Sequence, residues 1–338
     1  MLAVLDEFRK KLSDTMLSCM DKRIILYGYG YTGKFLRWYA SYYHSIEMDY
    51  VITTDWSAGV SFDQEIFRPT LFNFDYKDTK NCVVWLALPY QGEVVEMLAK
   101  EGYGQDSIYD FYKIIYGDDI EWPDIETDVF HQRKTGLRGI QFLEYLEWKY
   151  DCNFVTRVNN TDFKDVNPDK GTSFVTNTQK EIFEIFDKIH YRPCAGDAVM
   201  DLGCGKCGAM LSLMDYGFPY VGGVEYETGL YDVAVDNLKK LGLYDDKSIE
   251  LLHSDVTKLT TELDKYNWFY MFSPFYDEVF EKCMKNIVDS HHRNSRKIRI
   301  VYANPHCYKM IENTGVFKLV SQFTFTSRQR VVKVYETI

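Results

Sequence analysis

The chain has 338 residues, 46% hydrophobic and 26% charged, with a formal net charge of -11. That length suffices for two domains of about 150 residues each, and the composition excludes wholesale disorder. The acidic balance argues against a nucleic-acid partner held through its phosphates, and no apolar run approaches the ~20 residues that cross a bilayer.

Eight cysteines are scattered along the chain, and 27 tyrosines help raise the aromatic share to 16%. The opening MLAVLDEFRKKLSDTML reads as a short amphipathic helix rather than a leader. The expected setting is a reducing cytoplasm with free thiols and no membrane partner. Tyrosines suit interfaces and sugar-binding surfaces as well as ordinary cores.

A first unit begins at Arg23. RIILYG is a short apolar run bounded by glycine, the mark of a buried parallel strand. It leads through Gly28-x-Gly30-x-x-Gly33 into the helical stretch KFLRWYASYY, then into the strand DYVITTD ending at Asp55. A strand CVVWLAL, a helix EVVEMLAKEGY and a short strand SIYDFY follow. This alternation predicts an open α/β sheet.

The acidic stretch 117–135, with Pro123, marks a boundary. The expected division is an accessory domain over 1–125, a helical connector over 126–160 and a second domain over 161–338. In that second domain the helix TNTQKEIFEIFDKIH precedes a regular alternation. Strand AVMDLG, loop CGKCG and helix AMLSLMDYG lead to strand YVGGVEY and helix LYDVAVDNLKKLG. Strands SIELLHSD and NWFYMFS, helix DEVFEKCMKNIVDS and strand KIRIVYAN come next. FKLVSQFTFT and RQRVVKVYE then alternate about a short turn, which predicts a hairpin.

Asp201, Gly203, Gly205 and Gly208 lie in a loop that follows a strand and opens a helix. Glycines there permit a tight turn and close approach of a ligand to the backbone. Glu225 ends the next strand and Asp255 the one after. At the carboxyl ends of neighbouring parallel strands the three acids would face one crevice. A carboxylate at the second strand end suits a ribose diol, and one at the third suits an adenine amine. An acid before the glycines suits a cationic group and repels phosphate. Together they favour adenosine with a positive tail over NAD.

DLGCGKCG, GVEY and HSDV resemble the first motifs of the class I S-adenosylmethionine-dependent methyltransferases, over about residues 161–338. The resemblance implies a seven-stranded Rossmann-like sheet ending in an antiparallel hairpin, with S-adenosylmethionine as cofactor. It implies that Asp201, Gly203 and Gly205 line the methionine and ribose side, that Glu225 holds the ribose hydroxyls and that Asp255 holds the adenine. Cys207 departs from the pattern, standing where a third glycine is common. Cys204 and Cys207 form a C-x-x-C pair without a second pair at zinc spacing.

The strand end Phe272-Ser273-Pro274-Phe275-Tyr276 resembles the Asn-Pro-Pro-Tyr motif of amide- and amino-methylating enzymes, with Ser in place of Asn and one proline. Ser273 is expected to orient an acceptor or to cap a helix followed by Pro in its first turn. Phe275 or Tyr276 would pack the acceptor against the sulfonium. A hydroxyl acceptor needs a base, for which His253, Tyr276, Asp277 and His306 are the candidates. Ser273, Tyr276 and His306 form the expected catalytic set. The polar segment with Gly171-Thr-Ser-Phe174 and Thr176 is expected to cover the cofactor. His291 to Arg299 reads as a solvated basic loop.

The Gly28–Gly33 loop fits the dinucleotide fingerprint, with Asp55 near the distance of a ribose acid and Lys34 and Arg37 near phosphates. Tyr29 and Tyr31 are bulky for such a loop. The unit is similar to small Rossmann-like domains of bacterial surface-sugar enzymes. That likeness implies a scaffold, dimerisation or nucleotide-sugar-binding module. The favoured reading is methyl transfer to a small-molecule or sugar acceptor, O- or N-linked, in a chain able to form a homodimer. Protein side-chain N-methylation is one alternative, and an NAD(P) oxidoreductase using the first glycine loop is another. A further one is a binding protein that keeps the cofactor fold without transfer.

Overall fold

A computed structural model describes residues 6–52, 79–88, 91–116, 141–165, 173–326 and 329–338. Contacts divide the chain into two compact units, Ala3–Gln141 and Phe142–Ile338. The connector helix therefore falls into the second unit.

The first unit is built from α1 (Asp6–Leu17), β1 (Arg23–Tyr27), α2 (Tyr31–His44), β2 (Tyr50–Ile52), β3 (Cys82–Leu86), α3 (Gly92–Lys100), β4 (Ile108–Asp110) and α4 (Phe111–Tyr116). Its strands form a parallel sheet in the order β2-β1-β3-β4. β3 is buried along its whole length, which explains why CVVWL carries no polar alternation. Gly28 and Gly33 are in close approach: a Cβ on Gly33 would overlap the Gly28 carbonyl oxygen. Arg37 donates to the Tyr29 hydroxyl at 3.0 Å, and the Lys34 ammonium lies 5.5 Å from the Tyr29 ring centroid. Asp55 lies outside the described residues.

The second unit opens with α5 (Gln141–Tyr150) and α6 (Gln179–Lys188). Thr178 and Glu181 start α6 with a reciprocal capping box, so the Ser/Thr-x-x-Glu pattern fixes its first turn. Then come β5 (Ala198–Leu202), α7 (Gly208–Tyr216), β6 (Tyr220–Glu225), α8 (Thr228–Lys240), β7 (Ile249–His253), β8 (Trp268–Phe272), α9 (Asp277–Arg293), β9 (Arg299–Ala303), α10 (Tyr308–Glu312), β10 (Phe317–Thr324) and β11 (Val331–Thr337). The sheet order is β10-β11-β9-β8-β5-β6-β7. Pairing is parallel from β7 to β9 and antiparallel where β11 joins β9 and β10. This mixed seven-stranded sheet ends in the expected antiparallel hairpin. The chain runs outward from β5 through β6 to β7, then returns to β8 on the other side. That reversal opens a crevice at the carboxyl ends of β5 and β8.

Two local expectations are corrected. Ser273 does not cap a helix: α9 begins at Asp277, and Tyr276 is its N-cap residue. The stretch from His291 is a solvated loop only in part: His291–Arg293 form the last turn of α9, residues 294–298 form the connecting loop, and Arg299 opens β9. Arg293 pairs with Asp264 at 2.8 Å, and Arg296 donates to the Leu263 and Tyr266 carbonyls. The cations thus close the turn before β8 against the helix end.

Candidate active site

β5 delivers Asp201, buried to 3% exposure, and its chain then turns through Gly203 and Gly205. Both glycines hold positive φ, +86° and +54°. A Cβ on Gly203 would overlap the Pro274 ring, and one on Gly205 would overlap the Phe174 ring. Glycine is required at both places by conformation and by space. Cys207 holds φ +70° at the N-cap of α7, so the loop bears left-handed strain at the position where the resemblance leads one to expect glycine. At Gly208 a Cβ would lie 2.7 Å from Thr176 Oγ1, so this glycine serves the approach of the segment before α6.

Glu225 is 8% exposed. Its Oε1 accepts the Tyr226 and Glu227 amides at 2.9 and 2.8 Å, and its Oε2 accepts the Gly205 amide at 2.8 Å. A carboxylate offers roughly four lone-pair sites, so one on Oε2 is left for a ligand hydroxyl. Asp255 uses Oδ1 for the Thr257 amide and hydroxyl, at 2.9 and 2.8 Å. Among the described residues no donor reaches its Oδ2.

Asp201, Glu225 and Asp255 line one cavity of about 340 Å³, within the range of small-molecule sites. Gly203, Gly205, Phe174, Thr176, Pro274 and Phe275 line it too. Among the described residues no donor reaches the Asp201 carboxyl. Burial pushes its pKa well above the ordinary carboxylate range, and the Glu225 charge adds to the effect. Burial raises Glu225 as well, against the lowering effect of its three backbone donors. A cavity floored by such acids favours a cation or a donor-rich ligand.

The expected catalytic set gathers beside this cavity rather than inside it. Ser273 is buried with φ +42°, and its hydroxyl donates to the Asn304 backbone carbonyl. It is therefore tied to the end of β9. Asn304 itself holds φ +52°, and its amide nitrogen lies 3.0 Å from His306 Nε2. His306 is exposed and meets Tyr276 edge-on, with ring centroids 5.6 Å apart. Burial raises the Tyr276 pKa. None of Ser273, Tyr276 and His306 is among the cavity-lining residues, whereas Pro274 and Phe275 between them are. His253 lies elsewhere, stacked on Tyr231 at 4.3 Å near the end of β7.

Sequence reasoning did not single out several lining residues. Asn177 donates to the Tyr270 hydroxyl at 2.8 Å, and both residues line the cavity. Tyr270 pairs in register with Asp201 across β8 and β5, a proximity no linear spacing reveals. Glu227 accepts the Lys164 and Asp165 amides at 3.1 and 2.9 Å, and Asp165 returns a bond by accepting the Thr228 amide at 2.9 Å. The Thr228 bonds hold the Asp165 pKa below the ordinary value. Lys206 is buried, donates to Asn153 Oδ1 and the Thr156 carbonyl, and sits 5.2 Å from the Phe174 ring centroid. The segment before α6 is thus fastened to the glycine loop. Cys204 and Cys207 are both buried free thiols, and burial pushes Cys204 well above its ordinary pKa. Among the described residues no cluster of His, Cys, Asp or Glu could hold a metal ion. No described helix is long and apolar enough to cross a membrane.

Compared with protein-family models and with curated proteins, the chain matches none. Solved structures of methyltransferases do resemble about half of it. The glycopeptide N-methyltransferase MtfA, solved with S-adenosylmethionine, is 10% identical, with 47% of this chain and 94% of that chain covered at a TM-score of 0.37. An RNA methyltransferase from Salinibacter ruber, solved with S-adenosylhomocysteine, is 13% identical, with 48% and 94% covered and a TM-score of 0.36. A TehB-like methyltransferase from Corynebacterium glutamicum is 14% identical, with 47% and 88% covered and a TM-score of 0.36.

Proposed function

We propose that the second unit binds S-adenosylmethionine and transfers its methyl group to a small-molecule or sugar acceptor. The observation that carries this reading is the buried Asp201 carboxyl, which lines the cavity and meets no donor among the described residues. A buried carboxyl without a donor is costly unless a ligand supplies one. The cofactor's ammonium group is such a donor. The lone-pair site left on Glu225 Oε2 suits a ribose hydroxyl, and Asp255 Oδ2 suits an adenine amine.

When bound, the cofactor supplies a methyl group already activated by a positive sulfur. The protein's part is alignment and exclusion of water, and proximity with orientation can supply much of the rate. Asp201, Glu225 and Asp255 hold the ligand's polar groups. Phe174 covers Gly205, while Phe272, Pro274 and Phe275 wall the acceptor end with apolar surface. Ser273 fixes that wall by its bond to Asn304 rather than by touching an acceptor.

Calorimetric titration with S-adenosylhomocysteine tests the reading. Micromolar binding is expected, and no heat in a folded chain overturns it. Binding of NAD in its place would move the active site to Gly28–Gly33.

A further inference from the structure

Segment 158–165 is tied to two sides of the cavity. At one side the Phe174 amide donates to the Val158 carbonyl at 2.8 Å, and the Asn160 amide donates to the Ser173 hydroxyl at 3.3 Å. These bonds join the segment to the ring that covers Gly205. At the other side Lys164 and Asp165 meet the start of α8. Phe163, Asp165, Ser173 and Phe174 all line the cavity.

The contact with α8 is an exchange of caps. Glu227 occupies the N-cap position of α8 but makes no side-chain bond to its own helix. Its carboxylate, 3% exposed, takes the Lys164 and Asp165 amides instead. Asp165 in return accepts the Thr228 amide, one of those that a helix start leaves without an internal partner. The Glu227 amide goes to Glu225 Oε1, so the network ends on the carboxylate assigned to the ribose. The chain just before the segment is anchored by buried side chains: Lys206 holds Asn153 and the Thr156 carbonyl, and Asn237 holds Asn153. Lys164 and Asp165 are exposed, so water can replace the bonds they make. The end at 164–165 is therefore the one that opens at least cost.

We propose that Glu227 and Asp165 form a latch that closes segment 158–165 over the bound cofactor, and that release of this latch sets the rate of cofactor entry and product exit. The inference rests on the methyl-transfer reading, because it takes this cavity for the cofactor. Glu227 acts here as a positioning residue, through the segment it holds. Hydrogen bonds with one charged partner are stronger than neutral ones, so two carboxylates that take three amides make a firm closure. Closure excludes water from the sulfonium, and opening is a local event that leaves the sheet intact.

The test measures association and dissociation rates of S-adenosylhomocysteine by surface plasmon resonance on the immobilised full chain. Glu227→Gln and Asp165→Ala should each raise both rates roughly fivefold or more, with the equilibrium affinity changed far less. Asp165→Asn, which keeps an oxygen for the Thr228 amide, should restore rates near wild type. Unchanged rates in either folded variant overturn the proposal. Faster dissociation without faster association, or outright loss of binding, also overturns it, since the acids then contact the ligand directly. If Glu227→Gln fails to fold, Asp165→Ala decides, because that side chain is exposed. Failure of the wild-type chain to bind S-adenosylhomocysteine overturns the methyl-transfer reading instead. Hydrogen exchange at the Lys164 and Asp165 amides then decides the latch by itself: protection in the wild type that is lost in Glu227→Gln supports it, and equal exchange overturns it.

Discussion

Gly203 and Pro274 stand so close that a single added methyl group would make them overlap. The first belongs to the loop after β5 and the second to the turn after β8, 71 positions apart in sequence (274 − 203). Their contact joins the cofactor side of the cavity to its acceptor wall.

Gly203→Ala should damage both sides at once. The new Cβ meets a proline ring that has little freedom to move, and φ +86° is strained for alanine. A loss of about 2–4 kcal/mol in stability is expected, readable as a lower urea midpoint with an unchanged slope. A midpoint equal to wild type would show that the turn after β8 can yield.

Glu225→Ala should remove the acceptor of three backbone amides as well as the ligand's hydroxyl contact. Affinity for S-adenosylhomocysteine should fall by about 1–3 kcal/mol, roughly tenfold to a hundredfold. Calorimetry on the folded variant checks it, and unchanged affinity would remove Glu225 from the site.

The buried acids predict the pH dependence of cofactor binding. Asp201 and Glu225 have raised pKa values in the folded chain, so the folded state holds protons that the unfolded state has released. Their contribution to stability is therefore lost as pH rises from the ordinary carboxylate range through the raised values. A cationic ligand favours the ionised acids, so its binding should strengthen over the same window with release of protons. Asp201→Asn should flatten the profile, and calorimetry in buffers of different ionisation enthalpy counts the protons.

Ser273→Ala should act on stability. The Asn304 carbonyl loses the hydroxyl that satisfies it. About 1–2 kcal/mol is expected in denaturation, with S-adenosylhomocysteine affinity little changed. An unaffected midpoint together with lost methyl transfer would restore Ser273 to a direct role toward the acceptor.

Asn237→Ala tests the fastening of the segment before the core. Asn237 is fully buried, accepts the Asn153 amide at 2.7 Å and donates to the Asn153 and Lys206 carbonyls at 2.9 and 3.1 Å. Three backbone groups lose their partner, the Lys206 carbonyl buried and the two on Asn153 half-buried, at a cost of about 2–3 kcal/mol. Hydrogen exchange should show Asn153 and its neighbours opening first.

The alternation of β5 to β9 with helices, the glycine loop and the acids at three strand ends were all legible in the linear chain. Apolar periodicity and glycine placement are local signals, and they report local structure. The helical end at His291–Arg293 was misread, because a run of cations reads as a loop until Asp264 is seen to pair with it. Ser273 was misplaced for a similar reason. A Ser before Pro looks like a cap, yet the hydroxyl goes to Asn304 on a neighbouring strand.

The sequence by itself determined that the second unit alternates strands with helices, and that carboxylates end β6 and β7 and flank the glycine loop. Each of these follows from the order of residue types along one element. Only the tertiary structure decided which groups share the cavity and how much of each remains for a ligand. Asp201 lies beside Tyr270, Glu225 is mostly occupied by backbone amides, and Arg330 lies on Phe272. Those relations depend on strand order and on the return of the hairpin, and residues far apart in the chain meet only when the sheet closes.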